Sequence, residues 1–497
     1  MSTTDYLILG VYLVGIAVIG LRYSSQKGLR EYFLGNRSIS WFVSLATLIA
    51  NGISANTFIG IPALSFAKDL TGLQLYMGMP VAALLAAWFV VPFFYRQDII
   101  TAYEYLEKRF DIRTRLLACL FSQLLMILLL GTVVQAPAKV LSEISGLSYT
   151  WSVLIVGLAT IGYTVVGGYR AVVWTDTIQL LLMIVGPLVA VTILILHTDG
   201  GFARIVSIAS EHQKLRLVDT SFNLQNEVTI WSGLTALTIY HFSALVVSQE
   251  NVQKYLGARS IQDSRKAVVL HGFGLLVVWT LFFLIGVALF AFHTIYPERL
   301  PADNDGDRIF VRFIVNELPM GLRGLVLSSI FAAASSNISA TLNSLSSVTV
   351  VDIWQRFFAS RVRGKEVIVA RWTTLGWGLL SLVSALVVAR WGGIVITGLR
   401  VGTFISGPLL GIFLLGMFTN RANGIGVFSG SIAGMIVVAL VGQFAGISWV
   451  WNALVGAVAS ILFGYLLSLP FPAPATQNVD GLTLVKRRKG MLSSEKH

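Results

Sequence analysis

Long apolar runs, separated by shorter polar stretches, recur along the whole chain. Runs of about 18 residues or more are long enough to cross a bilayer as an α-helix. The pattern therefore predicts an all-α membrane protein with about thirteen transmembrane helices. The predicted spans are 5–22, 41–65, 73–95, 115–142, 150–167, 174–196, 229–249, 267–292, 321–348, 370–390, 394–418, 423–444 and 448–469.

The second span, 41–65, carries polar and helix-breaking residues in its middle. Gly52 and its polar neighbours allow the helix to unwind there, and Pro62 weakens it again. Unwound backbone at membrane depth must be buried in protein or coordinate a ligand, and a bare cation suits free carbonyls. The alternative is a slightly kinked helix that packs through small residues. The polar residues are Asn51, Ser54, Asn56 and Thr57.

The span 321–348 has an unusually small and hydroxyl-rich face. Ser336, Ser339 and Asn343 fall at i, i+3 and i+7 and so line one stripe of the helix. Hydroxyl and amide oxygens beside free carbonyls would suit an alkali cation and would leave a transition metal without nitrogen or sulfur ligands. The alternative is close helix packing with serines bonded back to their own helix.

Three ionisable residues inside the predicted spans are candidates for function. Asp176 follows a tight turn predicted at Gly167–Gly168. The alternative to a functional role is that Asp176 caps the start of the next helix. His241 lies in mid-span, where burial favours the neutral ring and requires a partner or a ligand. Arg400 either extends its side chain outward to water or meets an anionic solute.

Composition and charge agree with a membrane protein. The 497 residues are 55% hydrophobic and 12% charged, about half the charge of soluble domains. The net charge is +12, and the basic residues lie mainly in alternate loops. This is the positive-inside pattern of membrane proteins and not a nucleic-acid surface. We therefore expect a multi-pass protein of the cell membrane, in contact with the lipid bilayer and with no nucleic-acid partner. Its N-terminus would be outside and its C-terminus cytoplasmic.

Shorter features complete this picture. Cys119 is the only cysteine, which excludes an internal disulfide or a cysteine metal site. No basic residue precedes the first span, so we expect that span to be retained and not cleaved as a signal peptide. The segment 101–111 is predicted to form a polar surface helix, 250–260 a polar cytoplasmic exit from the membrane, and 471–497 a disordered cytoplasmic tail. Gly407–Pro408 is predicted to break or bend the span 394–418.

A coarse internal repeat is visible. The interrupted span 41–65 opens one set of five spans, and the polar-centred span 229–249 opens another. Because five is an odd number, the second set has the opposite orientation in the membrane. We expect one transmembrane domain over 1–470, with repeats 41–196 and 229–418 and with extra helices at 5–22 and 423–469. Interrupted helices at matching places in two repeats indicate a solute site near the membrane midplane.

Five segments of the chain are characteristic in their order and spacing. They are ITAYEYLEKRFD (100–111), YTVVGGYRAVVWTDTIQ (163–179), SQENVQKYLGARS (248–260), GLRGLVLSSIFAAASSNISATLNS (321–344) and GPLLGIFLLGMF (407–418). Together they resemble the sodium:solute symporters, the family of sodium/galactose, sodium/sialic acid, sodium/proline and sodium/iodide transporters. The resemblance covers roughly residues 5–470 and implies a LeuT-like fold, with an inverted five-helix repeat flanked by one helix before and two after.

The resemblance also implies a sodium site. Its ligands would be the carbonyls of Ala50, Ile53 and Ala333, the Ser336 hydroxyl and the Asn337 side chain. Asn337 departs from the Ser or Thr that relatives usually have, and an amide is the longer group.

Some relatives bind a second sodium through the aspartate that matches Asp176 and through neighbouring hydroxyls. Ser339 fits that pattern, but Ala340 stands where such relatives have a hydroxyl. We therefore expect a single sodium, with Asp176 and Ser339 as a possible second or exit site.

The implied solute site consists of Ser54, Thr57, Tyr76, His241 and the region of Arg400. Leu129 stands where sialic acid transporters have an arginine, which argues against the same pose for that solute. Ala244 stands where the sugar carriers have an aromatic gate, so gating is expected to differ.

The sequence thus predicts a sodium-coupled secondary active symporter that imports a sugar, a polyol or a small organic acid, and a monomer should suffice. One alternative is a proton-coupled carrier that uses Asp176 or His241. Another is a membrane solute sensor, for which the tail of roughly 25 residues is too short to be an output domain. An enzyme is not expected, because the chain has no HExxH, GxSxG or phosphate-loop motif.

Overall fold

The computed structural model describes residues 2–22, 29–300, 306–390, 394–475 and 479–485. Within these ranges the regular structure is helical, apart from one isolated parallel bridge between Ile39 and Ala258. The basic residues 27 and 486–489 and the acidic residues 303 and 305, which enter the charge pattern of the sequence, lie outside the described residues.

Twenty-one α-helices follow one another along these parts of the chain, joined by short 3₁₀ and π-helical turns. They are α1 (Thr3–Arg22), α2 (Leu29–Leu34), α3 (Trp41–Gly52), α4 (Ala55–Ala67), α5 (Met79–Leu85), α6 (Val91–Arg96), α7 (Glu104–Arg109), α8 (Ile112–Ser145), α9 (Tyr149–His197), α10 (Gly201–Glu211), α11 (Thr238–Val247), α12 (Gln249–Leu256), α13 (Ile261–Ile295), α14 (Ile309–Glu317), α15 (Leu322–Ser347), α16 (Gln355–Phe357), α17 (Ala359–Val362), α18 (Glu366–Val388), α19 (Ile394–Phe418), α20 (Gly424–Phe444) and α21 (Asn452–Ser468).

Ten helical segments in the described residues are long and apolar enough to cross a membrane, or eleven if the bent pair α3–α4 counts as one span. Two shorter apolar helices, Tyr149–Val165 and Ser232–Val247, fall on two further predicted spans. Every predicted span therefore corresponds to an apolar helix or helix pair. The segment α19 continues as one helix through Pro408, where the sequence predicts a break or bend.

The second span is broken within its polar middle. The helix α3 ends at Gly52, Ile53 and Ser54 are extended, and α4 starts at Ala55 with a bend of 53°. The Ser54 N–H donates to the Thr57 hydroxyl at 3.2 Å, which satisfies a donor at the start of α4. At the other side of the break, the last carbonyls of α3 have no helical N–H to accept from.

A second break separates α11 from α12 at Ser248, whose backbone is extended (φ −74°, ψ 116°). The prediction for residues 250–260, a polar exit from the membrane, is wrong. Residues Gln249–Leu256 instead form a helix whose polar side chains Gln249, Gln253 and Lys254 are buried. These side chains are buried because each has a polar partner inside the bundle.

The turn predicted at Gly167–Gly168 is a kink inside α9. Gly168 has φ 60° and ψ −169°, a conformation open to glycine, while helix continues on both sides. Asp176 lies two turns beyond this kink and its side chain is fully buried, so it does not cap a helix start.

The segment 101–111 and the tail are less solvated than predicted. Tyr105, Leu106 and Arg109 of α7 are buried. The Tyr105 hydroxyl donates to the Leu482 carbonyl at 2.9 Å, and the Leu484 N–H donates to the Met417 carbonyl at 2.7 Å. Residues 479–485 thus pack on the bundle, in contrast to the disorder expected after residue 470, because their backbone finds partners there.

Candidate cation and solute site

The break in the second span faces the small-residue helix α15. The carbonyl oxygens of Ala50, Ile53 and Ala333 each lie 3.3 Å from the side-chain nitrogen of Asn337. Four of the five predicted sodium ligands therefore meet around one point. The oxygens belong to α3, to the extended residue after it, and to α15, so a group bound there connects the broken span to its neighbour.

The sequence of α15 explains this close approach. Small side chains let neighbouring helices come near, and a Cβ added at Gly186 of α9 would lie 2.2 Å from the Ser329 hydroxyl. Several α15 hydroxyls bond to their own helix, as Ser339 does to the Ser336 carbonyl at 3.0 Å. Close packing and an oxygen-rich site, which the sequence offered as alternatives, are thus both present on α15.

Ser336, the fifth predicted ligand, points towards Asp176. Its hydroxyl donates to Asp176 Oδ1 at 2.6 Å. Lys254 Nζ lies 3.0 Å from Asp176 Oδ2 and donates to the Thr47 carbonyl at 2.9 Å. The lysine side chain is 2% exposed and the aspartate side chain 0%, so the ion pair is fully buried. The ammonium group of this pair comes from α12.

A cavity of about 250 Å³ opens beside the carbonyl cluster. Four predicted solute residues line it, and so do Leu129, Ala244 and Asn337. The four are Ser54, Thr57, Tyr76 and His241.

Aromatic rings form one wall of this cavity. The Tyr76 ring lies 4.2 Å from the Trp279 ring and 6.1 Å from the His241 ring, measured between centroids. His241 Nε2 is 3.1 Å from the Leu75 carbonyl. A carbonyl can only accept, so Nε2 carries the hydrogen, and in a neutral ring Nδ1 is then an acceptor.

Arg400 does not line the cavity. Its guanidinium lies 3.1 Å from Glu227, and its side chain is 55% exposed. The neighbouring residues Gly398 and Leu399 do line the cavity. A pairing between Arg400 and a residue far away in the chain could not be read from the local sequence.

Several lining residues were not among the predicted solute residues. Glu250 and Asn251 of α12, Asn56 of α4 and His271 of α13 all face the cavity. Asn56 could have been predicted from the sequence, because it belongs to the polar middle of the second span. Glu250 and Asn251 could not, because the run ENVQKY resembles a water-exposed segment until α12 is folded into the bundle.

Comparison with known proteins identifies the group of this chain. The model of the sodium:solute symporter family matches residues 32–434. A sodium/sialic acid symporter of Proteus mirabilis is 30% identical, over 95% of this chain and 96% of that protein. The human sodium/iodide cotransporter is also 30% identical, over 87% of this chain and 68% of that protein.

Solved structures agree. A Na⁺-coupled sialic acid symporter, solved in a substrate-bound outward-open state, superposes with a TM-score of 0.88 at 28% identity and covers 95% of this chain and 99% of its own. A nucleobase-cation-symport-1 family transporter at 14% identity shares the fold alone, with a TM-score of 0.55. The predicted all-α, LeuT-like architecture is confirmed, and these relatives are symporters and not enzymes. The chain is thus a multi-pass membrane transporter, and it belongs to the sodium:solute symporter family.

Proposed function

We propose that this symporter uses the inward sodium gradient to import an uncharged sugar or polyol. The observation that carries this proposal is the surplus of hydrogen-bond acceptors in the cavity beside the carbonyl cluster. Asn51 Oδ1 and Asn56 Oδ1 are buried acceptors without a hydrogen-bond partner within the described residues, and His271 Nδ1 is a buried ring nitrogen without one. Buried polar groups without partners are costly, so a solute rich in hydroxyl donors would be bound preferentially.

The charge of the cavity supports the same class of solute. Glu250 is the sole Asp, Glu, Lys or Arg among the described lining residues, and its carboxylate lies 3.5 Å from the Asn51 amide nitrogen. An organic acid would bring a second carboxyl group close to Glu250, and two carboxyl groups that share a site of low dielectric cannot readily both be ionised. The cation that could have received an anion, Arg400, is engaged with Glu227 outside the cavity.

Sodium would act at the carbonyl cluster. An ion among the carbonyls of Ala50, Ile53 and Ala333 would pin the broken span against α15, next to the cavity-lining residues Ser54 and Thr57. Ion and solute would then favour the same closed arrangement through their differential affinity for it. One inward charge contributes about 2.3 kcal/mol per 100 mV of membrane potential.

The test is a ligand screen scored by thermal stabilisation of the purified protein, with sodium chloride compared with choline chloride. The panel contains hexoses and hexitols, the matching aldonic acids, and amino sugars. We expect stabilisation by a hexose or hexitol and none by its acid. Stabilisation by an acid alone would contradict the proposed class, and stabilisation by amino sugars alone would assign Glu250 to an ammonium group.

Two variants test whether Glu250 contributes to ligand binding. Glu250→Gln should weaken binding of the uncharged ligand by about tenfold, because a charged acceptor is lost. Glu298→Gln is the matched control, since Glu298 is 68% exposed and lies outside the cavity. Transport that responds to external pH and not to sodium would instead indicate the proton-coupled alternative.

A further inference from the structure

The Asn337 side chain occupies the point that an ion would occupy in the carbonyl cluster. Its amide nitrogen has two N–H groups but faces three carbonyl oxygens, each at 3.3 Å. Those distances are longer than the usual N–H···O separation of about 2.9–3.0 Å. The amide therefore holds the three oxygens together without satisfying any of them fully.

The adjoining polar groups are also satisfied by the chain itself. Asp176 receives the Ser336 hydroxyl on one oxygen and the Lys254 ammonium on the other. The same ammonium donates to the carbonyl of Thr47 in α3. In this arrangement neither the carboxylate nor the carbonyls of the broken span depend on a bound ion for a partner.

We propose that the Asn337 amide is a built-in competitor of the coupling sodium, which clamps the broken span to α15 in the absence of the ion. This inference rests on the proposed function, in that the carbonyl cluster is the site of the coupling ion. Sodium entry requires the amide nitrogen to leave and the amide to rotate, so that Oδ1 turns towards the ion. The competition weakens sodium binding and permits some solute to cross without sodium.

A shorter or purely accepting side chain removes the competitor. Serine carries a single hydroxyl hydrogen and does not reach as far as the asparagine amide nitrogen, so it cannot bridge three carbonyls. Aspartate has the shape of asparagine but presents oxygens alone when ionised, and four oxygens around one point demand a cation. Both substitutions should therefore convert a site whose carbonyls share a partner without an ion into one that requires the ion.

The experiment measures sodium-dependent thermal stabilisation of purified wild type, Asn337→Ser and Asn337→Asp without solute, with choline chloride keeping the ionic strength constant. We expect both variants to bind sodium at least about tenfold more tightly than wild type, as expected when a competing hydrogen-bonded group is removed. Asn337→Asp should also melt well below wild type without sodium and recover when sodium is added. Asn452→Ser is the matched control, because Asn452 starts α21 and does not line the cavity.

The outcomes separate the two proposals. Equal or weaker sodium binding by the variants, with folding verified by gel filtration and helical circular dichroism, would overturn the role of Asn337 alone. No sodium response in any of the proteins would overturn the cation site and the proposed function with it. If one variant does not fold, the other decides, because both predictions have the same sign.

A second readout uses proteoliposomes. Wild type should let the solute identified by the screen equilibrate slowly in sodium-free buffer, whereas Asn337→Asp should show at least about tenfold less sodium-free flux. Equal sodium-free flux through both proteins would contradict the competitor role.

Discussion

Asp176 and Lys254 lie in the middle of the bundle as a fully buried ion pair. Removing two charges from water is costly, and the pair is tolerated only with further hydrogen bonds. Ser336 supplies one to the carboxylate, and the Thr47 carbonyl accepts one from the ammonium. These contacts connect α9, α12, α15 and α3 at one point, directly beside the carbonyl cluster.

Removing one member of this pair should be far more harmful than removing both. Lys254→Met leaves an uncompensated carboxylate and should cost about 3–5 kcal/mol of stability, whereas Lys254→Met with Asp176→Asn should recover much of it. Arg259→Met is the control, because Arg259 is 61% exposed in its pair with Asp263 and should contribute less than about 1 kcal/mol. Unfolding in detergent measures all four proteins. A double variant no more stable than Lys254→Met would contradict this account.

Glu107 of α7, which lies outside the spans, is the centre of a second charged cluster. Glu107 accepts hydrogen bonds from Arg115 at 2.6 Å and from Arg356 at 2.9 Å. Burial raises the pKa of Glu107, but these guanidinium contacts outweigh it, and the net effect lowers the pKa below its ordinary value. The stability that Glu107 contributes is therefore present above its unfolded pKa and lost as the pH falls through the folded value.

Glu107→Gln should flatten the acid side of the stability profile. The melting temperature of wild type should fall between about pH 5 and pH 3 more steeply than that of the variant, and the two curves should converge at the acid end. Glu298→Gln serves as the control, since the Glu298 side chain is 68% exposed. Parallel curves for wild type and Glu107→Gln would show that the guanidinium contacts do not stabilise the folded state.

At the level of elements, the site depends on two breaks and one kink. The breaks at Ile53–Ser54 and Ser248 free backbone groups and place α12 inside the bundle. The kink at Gly168 divides α9, and the part of α9 beyond it carries Asp176, which pairs with Lys254. Each of these irregularities positions a polar group of the site.

Gly168→Ala should destabilise the protein by about 1–3 kcal/mol, because a φ of 60° with a ψ of −169° is strained for a residue with a side chain. Gly162→Ala, in the same helix, is the control, since a Cβ there would meet nothing within 4 Å and alanine is the better helix former. Thermal unfolding of both variants is the measurement. Equal melting temperatures for Gly168→Ala and Gly162→Ala would exclude strain at residue 168.

The sequence predicted the first break and missed the second for a physical reason. Asn51, Gly52 and Ser54 conflict with an apolar helix, so the conflict itself marks the unwound region. The residues of α12 are mostly polar, and polarity alone does not distinguish a water-exposed segment from one whose partners lie inside the bundle. The partners of Lys254 are distant in the chain, so only the folded structure reveals them.

For the whole molecule, the break in the second span and the small-residue face of α15 form the two halves of the proposed cation site. The carbonyl cluster and the solute cavity share Asn337, so an ion and a solute can act on the same pair of elements. That sharing is what coupling requires, since each ligand must favour the same global state. The family and the fold were accessible from sequence, whereas the occupation of the cluster by an amide was visible only in the structure.

Ser336→Ala should weaken the coupling, because it removes a predicted ion ligand and the hydroxyl that orients Asp176. We expect at least about tenfold weaker sodium stimulation of uptake, with Ser336→Thr retaining most of it since the hydroxyl is kept. Initial rates of uptake as a function of sodium concentration are the measurement. Similar losses in both variants would indicate a packing defect.

The most direct test is concentrative uptake of the solute from the screen into proteoliposomes. An inward sodium gradient is compared with an equal potassium gradient at the same membrane potential. We expect accumulation above the external concentration with sodium alone, and no more than equilibration with potassium. Equal accumulation in the two conditions would contradict this expectation.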